Sequence, residues 1–252
     1  MNADPTGVPS APAGASMRDR ACLVVFSGGQ DSTTCLHWAL RAFKTVEAVF
    51  FDYGQRHAAE IEAAATIAAR LSVPLKVFRL DFFRELGGNA LLDPTMAIEP
   101  LSDGGGLPNT FVPGRNLILL TYAASYAFTR GIRDLVTGVC QTDYSGYPDC
   151  RDATIKSLER ALGQGLGWTD SGTRPARDGA FSIHTPLMFK TKAESVHWAA
   201  ELGAMDSLAF SHTCYEGAFP PCGKCPACLL RRKGFQEAGV EDPLEIRARQ
   251  SR

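Results

Sequence analysis

The sequence lacks both a membrane-spanning segment and a secretory signal. Its most apolar helix-like stretch, residues 117–128, is shorter than a membrane span and includes two tyrosines, a threonine and a serine. Residues 1–19 are rich in Ala, Pro, Gly and Ser and have no apolar core, which indicates a disordered leader and not a signal peptide. We therefore expect a cytoplasmic protein with no membrane partner, in which thiols stay reduced.

The chain also has almost no net charge, with 26 Lys and Arg against 27 Asp and Glu. This balance argues against a nucleic-acid partner, although it leaves room for local basic clusters. A length of 252 residues is enough for one well-cored α/β domain with an appendage. The sequence shows no internal repeat.

A phosphate-binding loop is the strongest local signal. The apolar run 23–26 ends in a Ser-Gly-Gly turn, and Asp31 and Ser32 follow where a helix begins. Such a strand–turn–helix presents backbone N–H groups to an anion, which favours phosphate oxygens here. The loop has neither the lysine of a Walker motif nor the G-x-G-x-x-G spacing. The candidate phosphate-binding residues, which the resemblance described next assigns to ATP, are Phe26, Ser27, Gly28, Gly29, Gln30, Asp31, Ser32, Thr33, Thr34, Cys35 and Leu36.

Two interpretations of this loop stay open. The turn is either functional or a purely structural strand–turn–helix, and Asp31 is either a helix cap or a partner of a phosphate-bound magnesium ion. The Ser-Gly-Gly-x-Asp-Ser pattern resembles the loop of the N-type ATP pyrophosphatases, which activate a substrate oxygen with ATP.

The order of elements predicts a parallel twisted sheet flanked by helices. Alternating apolar and amphipathic stretches favour βαβ units, which bind ligands at the carboxyl ends of their strands. After the first strand and helix, we predict strands at 46–53, 74–80 and 134–139, a fifth strand or an extended segment at 182–187, and helices at 57–71, 115–129, 152–162 and 191–202. Two long irregular stretches, 87–114 and 163–180, interrupt this order, and the second has the composition of a mobile flap.

Cysteine clusters near the carboxyl terminus. Cys222, Cys225 and Cys228 share a Gly/Pro-containing turn, and Cys214 is the natural fourth ligand. Four thiolates favour one closed tetrahedral structural Zn²⁺ per chain. An iron–sulfur cluster, disulfides, a catalytic thiol and His212 as a competing ligand are the alternatives. The predicted organisation is a leader (1–19), an ATP pyrophosphatase domain (20–210), a zinc-binding segment (211–240) and a C-terminal tail (241–252).

Two cationic residues open predicted helices. Arg115 and Lys192 each lie near a helix N-terminus, where a cation is unfavourable unless an anion is bound. We expect them to neutralise charge on a carboxylate or on ATP phosphates, and a solvated surface position is the alternative for each.

A second polar loop follows the fourth predicted strand. Residues 138–152 combine aromatic and charged side chains that suit a flat, hydrogen-bonding heterocycle. The candidate substrate-binding residues are Arg115, Asp143, Tyr144, Asp149 and Arg151. A mutual ion pair between Asp149 and Arg151 is the rival interpretation.

Six motifs in order resemble the 7-cyano-7-deazaguanine synthase family. They are residues 26–36 (FSGGQDSTTCL), 53–57 (YGQRH), 110–116 (TFVPGRN), 137–140 with 143–152 (TGVC, DYSGYPDCRD), 184–187 (HTPL) and the four-cysteine cluster. The resemblance covers residues 21–239. It implies an adenine-nucleotide α-hydrolase-like fold of the HUP class, and the substrates 7-carboxy-7-deazaguanine, ATP with Mg²⁺, and ammonia.

The same resemblance implies catalytic or charge-neutralising roles for Asp31, Arg115 and Lys192. Family members are often homodimers, which the sequence neither shows nor excludes. Two other functions compete: a tRNA-thiolating pyrophosphatase, and a zinc-bearing nucleic-acid-binding regulator that uses the basic run 231–233. Near-zero charge and cysteines committed to zinc argue against the first.

Overall fold

A computed structural model describes residues 16–54, 59–93, 95–99, 106–142, 147–168 and 180–250. Within these ranges the protein forms one five-stranded sheet in the order β3-β2-β1-β4-β5, and every neighbouring pair is parallel. The strands are β1 (Ala21–Val25), β2 (Thr45–Asp52), β3 (Leu75–Arg79), β4 (Asp134–Thr137) and β5 (Ser182–His184). The predicted parallel sheet flanked by helices is therefore confirmed.

Nine helices surround or follow the sheet in the described part of the chain. They are α1 (Gln30–Ala42), α2 (Ala59–Arg70), α3 (Phe83–Leu86), α4 (Arg115–Thr129), α5 (Asp152–Gly165), α6 (Lys192–Glu201), α7 (Met205–Leu208), α8 (Pro226–Glu237) and α9 (Pro243–Gln250). No helix among the described residues is long and apolar enough to cross a membrane.

Alternating side chains of the central strands fill a separate core on each face of the sheet. Cys22 and Val24 of β1 pack with α1 and α2, whereas Leu23 packs with α4. In β2, Ala48 and Phe50 join the first core, and Val49 and Phe51 join the second. Both faces of these strands are therefore covered, as expected of a parallel sheet.

Several predicted boundaries need correction. The strand predicted at 182–187 ends at His184, because Pro186 cannot donate a ladder hydrogen bond. Residues 163–168, predicted as part of a flap, continue α5 and its terminal turn, because Trp168 is buried between Phe128 and Phe181. Residues 169–179 of that flap lie outside the described residues, as do residues 55–58, where the second helix was predicted to start.

Both ends of the described chain are structured. The leader was predicted to reach residue 19, but Met17–Asp19 forms a 3-10 turn capped by the Ser16 side chain, and Met17 packs against the α1–α2 core. Residues 1–15 lie outside the description. Most of the predicted tail forms α9, which is held by the buried ion pair between Arg231 of α8 and Asp242.

Candidate active site

A cleft opens at the carboxyl ends of β1 and β4. These two strands are adjacent in the sheet but far apart in sequence, and their following segments run to opposite faces of the sheet. Ligand-binding crevices of open α/β sheets occur at such a switch point. The cleft has a volume of about 350 Å³ and is lined both by phosphate-loop candidates and by Arg115, which begin α1 and α4, two helices on opposite faces of the sheet.

Close backbone approach explains two glycines of the loop region. Gly28 has φ +74°, and a Cβ there would lie 2.7 Å from the backbone nitrogen of Ala64. At Gly138, directly after β4, a Cβ would lie 2.9 Å from the backbone nitrogen of Ser32. The loop after β4 therefore lies directly against the first turn of α1, which brings the two polar loops of the sequence together.

The first turn of α1 is left open to the cleft. Its N-cap is Gly29, which makes no side-chain cap hydrogen bond, while the Ser32 hydroxyl lies 3.1 Å from that of Ser27. The cleft is lined by Phe26, Ser27, Gly29, Gln30, Asp31 and Ser32. Gly28 does not line the cleft. The other candidates are buried in the core: Thr33, Thr34, Cys35 and Leu36. An unfilled helix N-terminus of this kind is suited to an anion.

Asp31 and Lys192 form an ion pair at the rim of this anion site. Lys192 Nζ donates to Asp31 Oδ2 over 2.7 Å, and the lysine side chain is only 10 % exposed. The backbone of Lys192 is fixed by a capping box, in which Thr191 and Glu194 bond each other's backbone N–H groups. Asp31 therefore does not cap α1 in this structure, and Lys192 is not a solvated surface lysine.

Aromatic side chains surround Arg115 at the other end of the cleft. Arg115 Nη1 donates to the Tyr53 hydroxyl over 3.2 Å, and Tyr147 and Tyr215 also line the cavity. Burial raises the pKa of Tyr53 and of Tyr215, so both phenols remain neutral. In the described part of the chain no carboxylate lies within ion-pair distance of Arg115. Its charge is therefore available to an anionic ligand.

Asp149 accepts a hydrogen bond at the N-terminus of α4, the helix that begins at Arg115. Its side chain is buried, and Oδ2 accepts a hydrogen bond from the backbone N–H of Asn116 over 3.0 Å, at the start of α4. Burial by itself disfavours the charged guanidinium, but the neighbouring Tyr53, Tyr147, Tyr215 and Asp149 outweigh burial and raise the pKa of Arg115 above its ordinary value. Asp149 thus contributes negative charge near Arg115 without forming an ion pair with it.

Two of the other predicted substrate-binding residues, Asp149 and Arg151, do not line the cavity. Arg151 is exposed at the N-cap of α5. No ion pair joins Asp149 to Arg151 in the ranges described. Asp143 and Tyr144 lie outside the described residues. Of the members of this set that the structure describes (Arg115, Asp149 and Arg151), Arg115 alone lines the cleft.

Several residues that line the cleft were not singled out from the sequence. Tyr53 ends a predicted strand at its carboxyl end and lies in the YGQRH motif, which is the signal that could have identified it. Cys140 and Cys150 also line the cavity, and Cys150 Sγ lies 3.1 Å from Asn116 Nδ2. Tyr215 follows Cys214 directly, but nothing in the local sequence indicates that it reaches the cleft.

The four clustered cysteines converge as predicted. Their sulfur atoms all lie within 4.8 Å of one another, and those of Cys222 and Cys228 are 3.9 Å apart. A tetrahedral zinc ion with Zn–S distances of about 2.3 Å requires sulfurs about 3.8 Å apart, so this donor set fits zinc. His212 is not part of the group, because its Nε2 lies 2.8 Å from the carbonyl oxygen of Cys214.

The cysteine segment is joined to the phosphate loop. The backbone N–H of His212 donates to the carbonyl oxygen of Gly28 over 2.9 Å. Two residues later Cys214 enters the cluster, and Tyr215 packs against both the cluster and the α4 core. A metal held here would therefore fix one wall of the cleft.

Metal analysis of the purified protein should give about one zinc per chain and no iron. Cys228→Ser should lose most of that zinc and lower the melting temperature, because metal binding is coupled to folding of such segments. Cys22→Ala is the matched control, since Cys22 is equally buried but lies outside the cluster. Iron with labile sulfide, or full zinc content in the serine variant, would contradict the assignment.

Arg231, the first residue of the basic run 231–233, is buried and engaged within the protein. Arg231 is 4 % exposed, and its guanidinium makes two hydrogen bonds to Asp242 and further ones to the hydroxyls of Ser211 and Thr213. This network ties α8 and α9 to the segment that enters the cysteine cluster. Arg231, the most buried cation of this run, thus has a structural role.

Comparison with known proteins identifies the family to which this chain is similar. The family model "Queuosine biosynthesis protein QueC" matches residues 21–239. A 7-cyano-7-deazaguanine synthase of Chromobacterium violaceum is 57 % identical over 229 residues, 90 % of this chain and 93 % of the relative. Proteins of the same name from Laribacter hongkongensis and Phocaeicola vulgatus are 55 % and 48 % identical, over 91 % and 92 % of this chain and 96 % and 98 % of their own lengths.

Among solved structures, one described as a predicted subunit of a tRNA methyltransferase from Methanocaldococcus jannaschii is similar with a TM-score of 0.45. The two sequences are 16 % identical, and the match covers 72 % of this chain and 75 % of the solved chain. A likeness this weak does not bear on function.

Proposed function

The chain belongs to the QueC family of queuosine biosynthesis proteins, and from this premise we propose that it is a carbon–nitrogen ligase. In this proposal it converts 7-carboxy-7-deazaguanine and ammonia to 7-cyano-7-deazaguanine with ATP, in the cytoplasm. Three relatives called 7-cyano-7-deazaguanine synthase, each matched over nearly its whole length, support the choice of product.

The chemistry requires two activations. A carboxylate is a poor acyl donor, because loss of oxide is prohibitive. Attack of its oxygen on the α-phosphorus of ATP forms an acyl adenylate and releases pyrophosphate. Ammonia adds to the carbonyl carbon, AMP leaves and a proton is lost, which gives the amide. A second ATP activates the amide oxygen in the same way, and loss of AMP and the two amide protons gives the nitrile.

The observation that carries the proposal is the pairing of two anion sites in one cleft. The open first turn of α1, with Lys192 beside it, suits the pyrophosphate end of ATP. Arg115, at the other end, suits the carboxylate of the second substrate, and the tyrosines around it suit a flat heterocycle. Magnesium bound with ATP would supply charge neutralisation on the phosphates, and Asp31 is the residue placed to hold it.

Incubation of zinc-loaded protein with ATP, Mg²⁺, an ammonium salt and 7-carboxy-7-deazaguanine tests the proposal. Mass spectrometry should show the amide and then the nitrile, and nucleotide analysis should show AMP and pyrophosphate. Formation of ADP and phosphate instead would indicate that ATP phosphorylates the same substrate oxygen and does not adenylylate it. Absence of any nitrile with folded, zinc-loaded protein would overturn the proposed function.

A further inference from the structure

A glycine in the interior of α8 faces Lys192. Gly234 is buried within Pro226–Glu237, where alanine would be the more favourable helix residue. A Cβ built on Gly234 would overlap Lys192 Cγ and approach Lys192 Cβ to 3.0 Å. The glycine therefore leaves the space through which the lysine chain passes, and no turn or positive φ explains it.

The lysine chain has little room to move elsewhere. At its root, the Thr191–Glu194 capping box fixes the start of α6. At its tip, the ammonium group is 2.7 Å from Asp31 Oδ2. Between these two points the aliphatic chain lies against Gly234, and the whole side chain is only 10 % exposed.

Helix α8 cannot easily withdraw from the lysine. Cys225 and Cys228 bind its first turns into the cysteine cluster, and Arg231 fixes its middle to Asp242. Phe235, next to Gly234, is buried against Val196 of α6. A side chain added at position 234 would therefore displace Lys192 more readily than it would displace the helix.

We propose that Gly234 is a positioning residue for the nucleotide end of the cleft. Its missing side chain lets Lys192 cross α8 and place its ammonium group at Asp31, beside the open first turn of α1. This proposal rests on the proposed function only in identifying the anion there as the phosphates of ATP. The contact between Gly234 and Lys192 is independent of that function.

Steady-state kinetics of Gly234→Ala test the proposal. We expect kcat/KM for ATP to fall at least tenfold, while the KM for 7-carboxy-7-deazaguanine changes less than twofold, because Arg115 lies at the other end of the cleft. Gly165→Ala is the matched control: Gly165 also lies in a helix, and a Cβ there would meet nothing within 4 Å. That control should retain wild-type values of both constants.

A double-mutant cycle separates positioning from general damage. If Gly234 acts through Lys192, adding Gly234→Ala to Lys192→Ala should change kcat/KM for ATP less than twofold. An equal loss in both backgrounds, or a loss shared by both substrates, would show a merely structural role and overturn the proposal.

The reactivity of Lys192 gives a readout that needs no activity. Limited labelling with an amine-specific reagent, quantified by peptide mass spectrometry, should modify Lys192 several-fold faster in Gly234→Ala than in wild type, because the displaced amine loses its burial and its partner. Unchanged labelling would overturn the positioning role even if the wild-type protein formed nitrile. Faster labelling in a protein that forms no nitrile would reject the proposed function and retain the contact.

Discussion

Arg115→Ala is expected to lower kcat/KM for 7-carboxy-7-deazaguanine about 100- to 1,000-fold, the range found when one charge-stabilising donor is removed from an active site. Arg115 is the cation of the tyrosine-lined end of the cleft, and it has no ion-pair partner among the described residues. Its fork of N–H donors matches a carboxylate in two parallel hydrogen bonds. Steady-state kinetics with each substrate varied in turn would measure the effect.

The substrate that loses affinity identifies what Arg115 binds. A rise confined to the KM for the deazapurine supports binding of its carboxylate, whereas a rise confined to the KM for ATP would assign the guanidinium to the phosphates. Arg115→Lys should recover only part of the loss, because an ammonium group cannot bind both oxygens in the same plane. Arg130→Ala is the control, since Arg130 ends the same helix and pairs with Glu47 outside the cleft.

The sheet was predictable because its signals are local. β1 and β2 are short apolar runs, each followed by an amphipathic helix, so the parallel arrangement and the position of the phosphate loop follow from chain order. The boundaries that were missed depend on tertiary contacts. Gly163 and Gly165 favour the end of a helix, but the burial of Trp168 against Phe128 and Phe181 extends α5 as far as Gly165.

The site was predictable only in part, for the same reason. Residues of contiguous motifs come together in space: the four cysteines converge as predicted, and the turn before α1 lines the cleft. The aromatic and charged composition of its loop made Asp149 a candidate for substrate binding. In the structure its carboxylate accepts a hydrogen bond from the backbone N–H of Asn116, at the N-terminus of α4 and 33 positions earlier in the chain. The relation between Gly234 and Lys192 joins two helices, and no periodicity or spacing encodes it.

Asp31 carries the negative charge that pairs with Lys192 at the end of the cleft proposed to bind ATP. It is the partner of Lys192, and it lies in the first turn of α1, where a carboxylate faces any cation bound to the phosphates. Removing it would leave a nearly buried ammonium group without that partner and would remove the proposed magnesium contact. In the proposed function, both effects act on the binding of ATP and not on that of the deazapurine.

Asp31→Ala should therefore reduce turnover at least about 100-fold, the lower bound typical of a lost charge-stabilising group. The stability loss by urea unfolding should be only about 1–2 kcal/mol, since the Asp31 side chain is 24 % exposed. Asp31→Asn should be nearly as inactive, because it keeps the shape and loses the charge. Asp152→Ala is the matched control: Asp152 also opens a helix and pairs with a lysine, Lys156, but it does not line the cleft. If Asp31→Ala lost stability but retained turnover, Asp31 would be a structural partner of Lys192 alone, and the charge at this end of the cleft would have to come from elsewhere.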